Sequence, residues 1–279
     1  MSGPLVRRPV LIAALLAAAL ALPACASATA LVRVPVPAAA PTPPPGPAPE
    51  SRPIRPPLPL RPDGYGVAQP TPPDLVDRRL PTRDLLPPPA DGRFASSVAP
   101  VPAAVLERST WRPECPVPAT DLRYVTVSFR GFDGAAHTGE LLLNARVTDD
   151  VVGVFEELFD AGFPIEQMRI TSPAELDAAP TGDDNTTTAF VCRPIVGSTS
   201  WSAHAYGLAI DVNPFQNPYQ REDLVLPELA SAYLDRGNVR PGMILESGPV
   251  VAAFDRIGWT WGGRWRSPLD LHHFSATGH

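Results

Sequence analysis

The chain has 279 residues, a formal net charge of −6, 44% hydrophobic residues, 38 Pro and 3 Cys. Pro at that level is far above the roughly 5% of globular chains, so part of the sequence is not built from ordinary helix and sheet. The charge is unevenly divided: residues 1–109 carry 11 Arg against 7 acids, and residues 110–279 carry 12 Arg against 22 acids, which by charge excludes a nucleic-acid partner for the second part.

Arg7 and Arg8 precede an apolar run of 13 residues, Val10 to Leu22. A membrane span needs about 20 residues, whereas this run has the length of a signal-peptide core. Residues 1–24 are therefore expected to be an export signal. Leu22-Pro23-Ala24-Cys25 resembles a bacterial lipobox, in which the Cys becomes the lipidated first residue. The other reading is simple cleavage after Ala26 or Ala28. Both export the protein, either as a membrane-anchored lipoprotein or as a protein secreted into the cell wall. Contact with a membrane is expected only through a lipid on Cys25. Two cysteines then remain, Cys115 and Cys192. In an oxidising compartment two such thiols are expected to form a disulfide, worth roughly 4 kcal/mol in the chain-entropy view. Two buried free thiols are the alternative.

Residues 31–102 hold 22 of the 38 prolines, in runs such as Pro41-Thr42-Pro43-Pro44-Pro45 and Pro87-Pro88-Pro89. Proline donates no backbone hydrogen bond and favours extended polyproline II. Residues 25–104 are expected to be a disordered Pro-rich linker, and residues 105–279 the folded domain.

In that domain, Leu122 to Phe129 is rich in β-branched and aromatic residues and predicts a strand. Phe132-Asp133-Gly134 predicts a turn, and Gly139 to Asn144 a second strand. Thr148 or Asp149 can cap a helix whose Val151, Val154, Phe155 and Leu158 share one face. Met168–Thr171 and Thr187–Cys192 predict short strands. Val250, Ala253, Phe254 and Ile257 repeat the helical spacing between Pro249 and Gly258. Strands interrupted by two main helices imply an α+β domain with a small, mostly antiparallel sheet.

Two clusters carry chemistry. From Gly207 to Asn213 the pattern alternates, with Leu208, Ile210 and Val212 expected in the core and Gly207, Ala209, Asp211 and Asn213 on the other face. Small residues beside Asp211 are expected to leave room for a ligand or an ion, and His204 can fold back over that face. Imidazole and carboxylate together suit zinc. The second cluster is Asp270-Leu271-His272-His273-Phe274, after Trp259, Trp261 and Trp265. Adjacent residues on a strand face opposite ways, so His272 is expected to point away from His273. The three Trp are expected to pack in the core and rim, and His137 and His279 to be exposed.

His204-x-x-Gly207-x-Ala209-x-Asp211 followed by Asp270-x-x-His273-Phe274 resembles the zinc D-alanyl-D-alanine peptidases of the M15 class. The resemblance covers most of residues 110–279. It includes Cys115-Pro116-Val117, Phe132-Asp133-Gly134, Cys192-Arg193-Pro194, Asn213-Pro214 and Trp261-Gly262-Gly263. It implies the α+β fold shared with the Hedgehog signalling domain. It also implies one zinc ion held by His204, Asp211 and His273, with a fourth position for water. Asp270 matches the general acid/base, where many relatives have Glu. Arg193 matches an Arg that stabilises an oxyanion or holds a substrate carboxylate. Ser202 is a substrate-contact candidate by the same match. Tyr206 is a second candidate from its place in the cluster, with core packing as the alternative. The implied activity is D-alanyl-D-alanine carboxypeptidase action on peptidoglycan stem peptides by a monomeric enzyme. The alternatives are an L-Ala–D-Glu endopeptidase of the same family and a non-catalytic, zinc-stabilised wall-binding module.

Overall fold

A computed structural model describes residues 55–195 and 198–278. The expected export signal, Cys25, the first part of the expected linker and His279 lie outside the described residues. No helix among the described residues is long and apolar enough to cross a membrane.

The strands are β1 (Ser96–Pro100), β2 (Leu122–Arg130), β3 (Ala136–Asn144), β4 (Gln167–Met168), β5 (Thr186–Thr187), β6 (Ala209–Asp211), β7 (Tyr219–Arg221), β8 (Leu224–Leu226), β9 (Thr260–Trp261), β10 (Leu269–Asp270) and β11 (His273–Ser275). The α-helices are α1 (Ala103–Arg108), α2 (Thr148–Asp160), α3 (Pro173–Leu176) and α4 (Pro249–Arg256). Three small antiparallel sheets run in the orders β1-β2-β3, β10-β7-β8 and β6-β11-β9, and β4 and β5 form a parallel pair. This is a mixed α+β fold with packed helices.

The long hairpin β2–β3 alternates strictly, as its period of two requires. Val125, Val127, Phe129, Leu141 and Leu143 face one core, shared with Val151, Val154, Phe155 and Leu158 of α2 and with Val250, Ala253 and Phe254 of α4. Leu122 and Leu142 face a second cluster with Val105, Val117, Phe190 and Cys192. There Cys115 and Cys192 form a disulfide, with Cα atoms 5.9 Å apart. Helix α2 starts at Thr148 with Val147 in the cap position. The Thr148 hydroxyl donates to the Asn144 carbonyl instead of capping.

The linker expectation fails for residues 55–104, which pack on the domain. Leu75 is buried with Phe215, Leu229 and Tyr233. Arg78 is fully buried, and its Nε and Nη2 donate to Glu166 at 2.7 and 2.9 Å. Residues 96–100 pair with β2 as strand β1. Proline excludes helix and interior ladder but leaves an extended chain free to bond non-local partners. Leu58 and Gln69 donate their amides to the Pro180 and Glu228 carbonyls in this way. The segment is a strap. It also buries His137, expected to be exposed, whose ring nitrogens lie 2.8 Å from Asp84 and 3.2 Å from Asp133.

The strands expected at 168–171 and 187–192 shrink to β4 and β5. Beyond them the backbone serves the later cluster: Thr188 exchanges amide–carbonyl bonds with Asp211, and the Val191 amide donates to the His204 carbonyl.

Candidate metal centre

His204 sits in a single 3-10 turn, Ala203–Tyr206. The Ser202 hydroxyl caps that turn by accepting the His204 amide at 3.3 Å. Gly207 ends it with φ +67°, a conformation that favours glycine. A Cβ there would also stand 2.7 Å from the Asn144 amide nitrogen. Gly207 therefore packs against β3 and leaves no open space for a ligand, contrary to expectation. Ala209 is fully buried, and so is Asn213, whose amide donates to the Pro164 carbonyl at 2.7 Å. Of that face only Asp211 reaches the site.

Asp211 and His273 are directly opposed in the β6–β11 ladder, so their side chains share a face. Phe274, one residue on, turns inward and stacks on Phe254 at 4.1 Å. This inward–outward step anchors the strand and points His273 at its partners. His204 Nε2 lies 3.1 Å from His273 Nδ1 and 3.2 Å from Asp211 Oδ1, and His273 Nδ1 lies 3.1 Å from Asp211 Oδ1. The three atoms form a nearly equilateral triangle. Ligands about 2.0–2.1 Å from a tetrahedral ion are about 3.3 Å apart, so the triangle has the dimensions of one tetrahedral face.

The protonation pattern fits a cation as well. His204 Nδ1 donates to the Ala189 carbonyl, 2.6 Å away, which turns Nε2 toward the triangle. Two imidazole nitrogens and a carboxylate oxygen then converge, and one cation satisfies all three. Burial alone would raise the Asp211 pKa, but the charges of His204 and His272 and hydrogen bonds from His204 and His273 hold it well below the carboxylate range. Burial alone would lower the His273 pKa, but the hydrogen bond and charge of Asp211, with Asp270 beyond, raise it. His204, Asp211 and His273 are thus a buried cluster geometrically suited to a metal ion.

Residues 196–276 match the family model described as D-alanyl-D-alanine carboxypeptidase. An M15 peptidase domain therefore occupies part of the chain. The triad and Asp270 fall inside the matched segment, whereas Arg193, both disulfide cysteines and the strap lie before it. No curated protein and no solved structure matches the chain.

The triad opens on a cavity of about 940 Å³ that Asp270, Arg193 and Ser202 also line. The Arg193 guanidinium bonds only the neighbouring Pro194 carbonyl among the described residues. Tyr206 is 37% exposed and is not part of the lining. The tyrosines that do line the cavity are Tyr219 and Tyr65, the latter from the strap. Trp265 borders the cavity with its ring centre 5.5 Å from that of His273, while Trp259 and Trp261 are buried in the core. Phe215 packs in the strap-side core against Tyr233.

His272 contradicts its expected outward orientation. Its Nδ1 donates to the Asn217 carbonyl at 2.7 Å, and its Nε2 lies 3.1 Å from Asp270 Oδ1 and 3.8 Å from Asp211 Oδ2. The alternation argument needs a continuous strand, and here β10 ends at Asp270 and β11 begins at His273. A bend at 271–272 separates them, fixed by the Trp261 indole donating to the Leu271 carbonyl at 2.9 Å.

Proposed function

We propose that the protein is an exported zinc metallopeptidase that hydrolyses peptidoglycan stem peptides as a D-alanyl-D-alanine carboxypeptidase. The observation that carries this reading is the convergence of three metal-ligand atoms in one cavity with a further buried carboxylate, Asp270. His204, Asp211 and His273 would hold the ion, and two neutral nitrogens with one carboxylate oxygen are a donor set that suits zinc. Three protein ligands are the pattern of catalytic sites, since structural zinc is usually closed by four. Bound zinc supplies an acidified water and a polarised carbonyl.

Asp270 takes the proton of the attacking water as the new C–O bond forms. It returns a proton to the amine as the C–N bond breaks, releasing the terminal D-Ala. His272, between Asp270 and Asp211, holds the Asp270 carboxylate in line. Arg193 presents its guanidinium to the developing oxyanion or to the terminal carboxylate of the substrate. The disulfide at Cys192 supports that loop. Ser202 acts through the turn it caps, because its hydroxyl already accepts the His204 amide.

The test is mass spectrometry of defined muropeptides incubated with the full chain, with and without a zinc chelator. Chelator-sensitive loss of one D-Ala supports the carboxypeptidase. Scission at L-Ala–D-Glu would move the enzyme to the endopeptidase class. No product from a folded, zinc-loaded sample would refute turnover of these substrates and favour a wall-binding module.

A further inference from the structure

Beyond the triad, the wall of the cavity continues across a second sheet. In the order β10-β7-β8, Asp270 pairs with Tyr219 and Tyr219 pairs with Leu226. These three form one cross-strand row, and all three line the cavity. Two residues past Leu226 the same wall reaches Glu228.

Glu228 is unusual among the buried acids. It is 4% exposed, yet among the described residues no cation pairs with it. Glu140 has Arg108 at 2.7 Å, Glu166 has Arg78, and Asp211 has its imidazoles. Glu228 Oε1 accepts the amide of Gly66 at 2.8 Å, and among the described residues no donor reaches Oε2. A Cβ on residue 66 would stand 2.5 Å from Oε1, so a side chain there would push the Glu228 carboxylate from its place. A buried carboxylate without a counter-ion is costly, and a partner that arrives with a ligand removes the cost. Tyr65, next to Gly66 in the strap, and Tyr219, opposite Leu226 in the β7–β8 ladder, line the same cavity. Tyr219 is 8% exposed, and among the described residues no hydrogen bond engages its hydroxyl. A carboxylate beside aromatic rings is an arrangement that receives an ammonium group.

We infer that the strap end of the cavity is a subsite for a primary ammonium group, with Glu228 as counter-ion and Tyr65 and Tyr219 as aromatic walls. The inference rests on the peptidase reading above for the identity of its ligand. Arg193 is the only Arg in the cavity lining, and Glu228 lines the same cavity. A peptide with its carboxylate toward Arg193 would carry its amine toward Glu228. Two strand spacings separate Asp270 from Leu226, roughly 10 Å. One extended residue and a diamino-acid side chain together reach about that far, to the level of Leu226, with Glu228 two residues beyond. The ligand is therefore a stem peptide whose diamino acid precedes the cleaved segment. An α-amine has the same chemistry and is separated from the side-chain amine by the test.

The probes are the pentapeptide L-Ala-γ-D-Glu-L-Lys-D-Ala-D-Ala, its Nε-acetyl form and its Nα-acetyl form. Binding is measured by calorimetry and cleavage by mass spectrometry, on the zinc-loaded full chain and on Glu228→Gln. Glutamine keeps an oxygen for the Gly66 amide, so the strap should remain in place, and thermal melting checks this. Nε-acetylation is expected to weaken binding to the unmodified protein by roughly ten- to a hundredfold, the range of a charged hydrogen bond, and hardly to affect Glu228→Gln. Tyr65→Leu should reduce the discrimination several-fold. If only Nα-acetylation matters, the subsite stands and takes the α-amine. If neither acetylation changes binding, or if none of the peptides binds, the subsite is overturned and Glu228 only anchors the strap. Cleavage of all three peptides without discrimination would leave the reaction standing and remove the subsite. Discrimination without cleavage would leave the subsite and remove the reaction.

Discussion

Replacing Arg78 with Ala separates a strap that belongs to the fold from a linker that merely touches it. In the native chain the Arg78 amide donates to the Tyr233 hydroxyl at 2.9 Å and its carbonyl accepts from Gln216 at 3.2 Å. The guanidinium makes two bonds to Glu166 and lies 4.4 Å from the centre of the Phe215 ring. The backbone bonds survive truncation, but the side-chain bonds and the ring contact do not. Glu166 would keep its bond from Asn185 at 2.7 Å and lose both bonds from Arg78. Removing one partner of a fully buried ion pair costs about 3–5 kcal/mol. For a folded unit of this size each kcal/mol moves the melting temperature by about 2–4 °C, so a fall of about 6–20 °C is expected. Thermal melting followed by circular dichroism reads this, and limited proteolysis should cut the strap sooner in the variant. The double variant Arg78→Met/Glu166→Met should recover most of the loss, since apolar side chains of similar volume can replace a buried ion pair at little cost. A melting temperature within about 1 °C of the parent, together with early cleavage of the strap in both proteins, would refute the argument.

Asp270→Asn should retain zinc and lose roughly a hundredfold to ten-thousandfold in turnover, measured by peptide cleavage alongside metal analysis. His204→Ala should lose zinc and, with it, the metal-dependent part of the stability; full occupancy on metal analysis would make the ligand set wrong. His272→Ala should lower kcat much more than it changes KM while zinc stays bound, and an unchanged kcat would reduce His272 to a packing residue. The metal-free protein should have a stability optimum in mild acid. The stabilisation from Asp211 is present above the ordinary carboxylate value of 3.8 and is lost as pH falls through its lowered value. That from His273 is present below the ordinary imidazole value of 6.5 and is lost as pH rises through its raised value. Zinc must displace the His273 proton, so adding it should move the optimum to higher pH. Melting temperatures from about pH 3 to about pH 9, with chelator and with zinc, test this, and a metal-free optimum above about pH 8 would contradict it.

Local periodicity made the longer elements of the domain legible. Helix α2 has Val151, Val154, Phe155 and Leu158 on one face because a buried helix must repeat near 3.6 residues. The hairpin β2–β3 alternates because both of its faces are covered by distinct clusters. Of the two-residue strands only the neighbourhoods of β4 and β5 were legible, and with the wrong lengths, since an element that short has no period to read. The strap was misread for another reason. Proline content reports which backbone bonds are unavailable, and says nothing about a guanidinium that finds Glu166 across 88 residues.

The same distinction separates the parts of the site. His204, Asp211 and His273 could be read because the residue types, the spacing within each motif and the order of the two motifs all reflect one geometric demand, a triangle closed by a strand pair. His272 was misread because alternation was applied across a break, at which Trp261 bonds the Leu271 carbonyl and Val212 and Asn217 bond His272. Glu228 and Tyr65 left no local trace at all, since the contact that places them joins Gly66 to Glu228 across 162 residues. The chemistry common to the matched segment is therefore written in short motifs, while the part of the cavity that would choose a substrate joins Tyr219 and Glu228, inside that segment, to residues outside it. Tyr65 and Gly66 belong to the strap, and Arg193 precedes the match by three residues. Residues that position an ion must satisfy a fixed geometry, so they recur as a pattern. Residues that border the rest of the cavity need only be brought there by the fold, and a long-range contact is enough to do that.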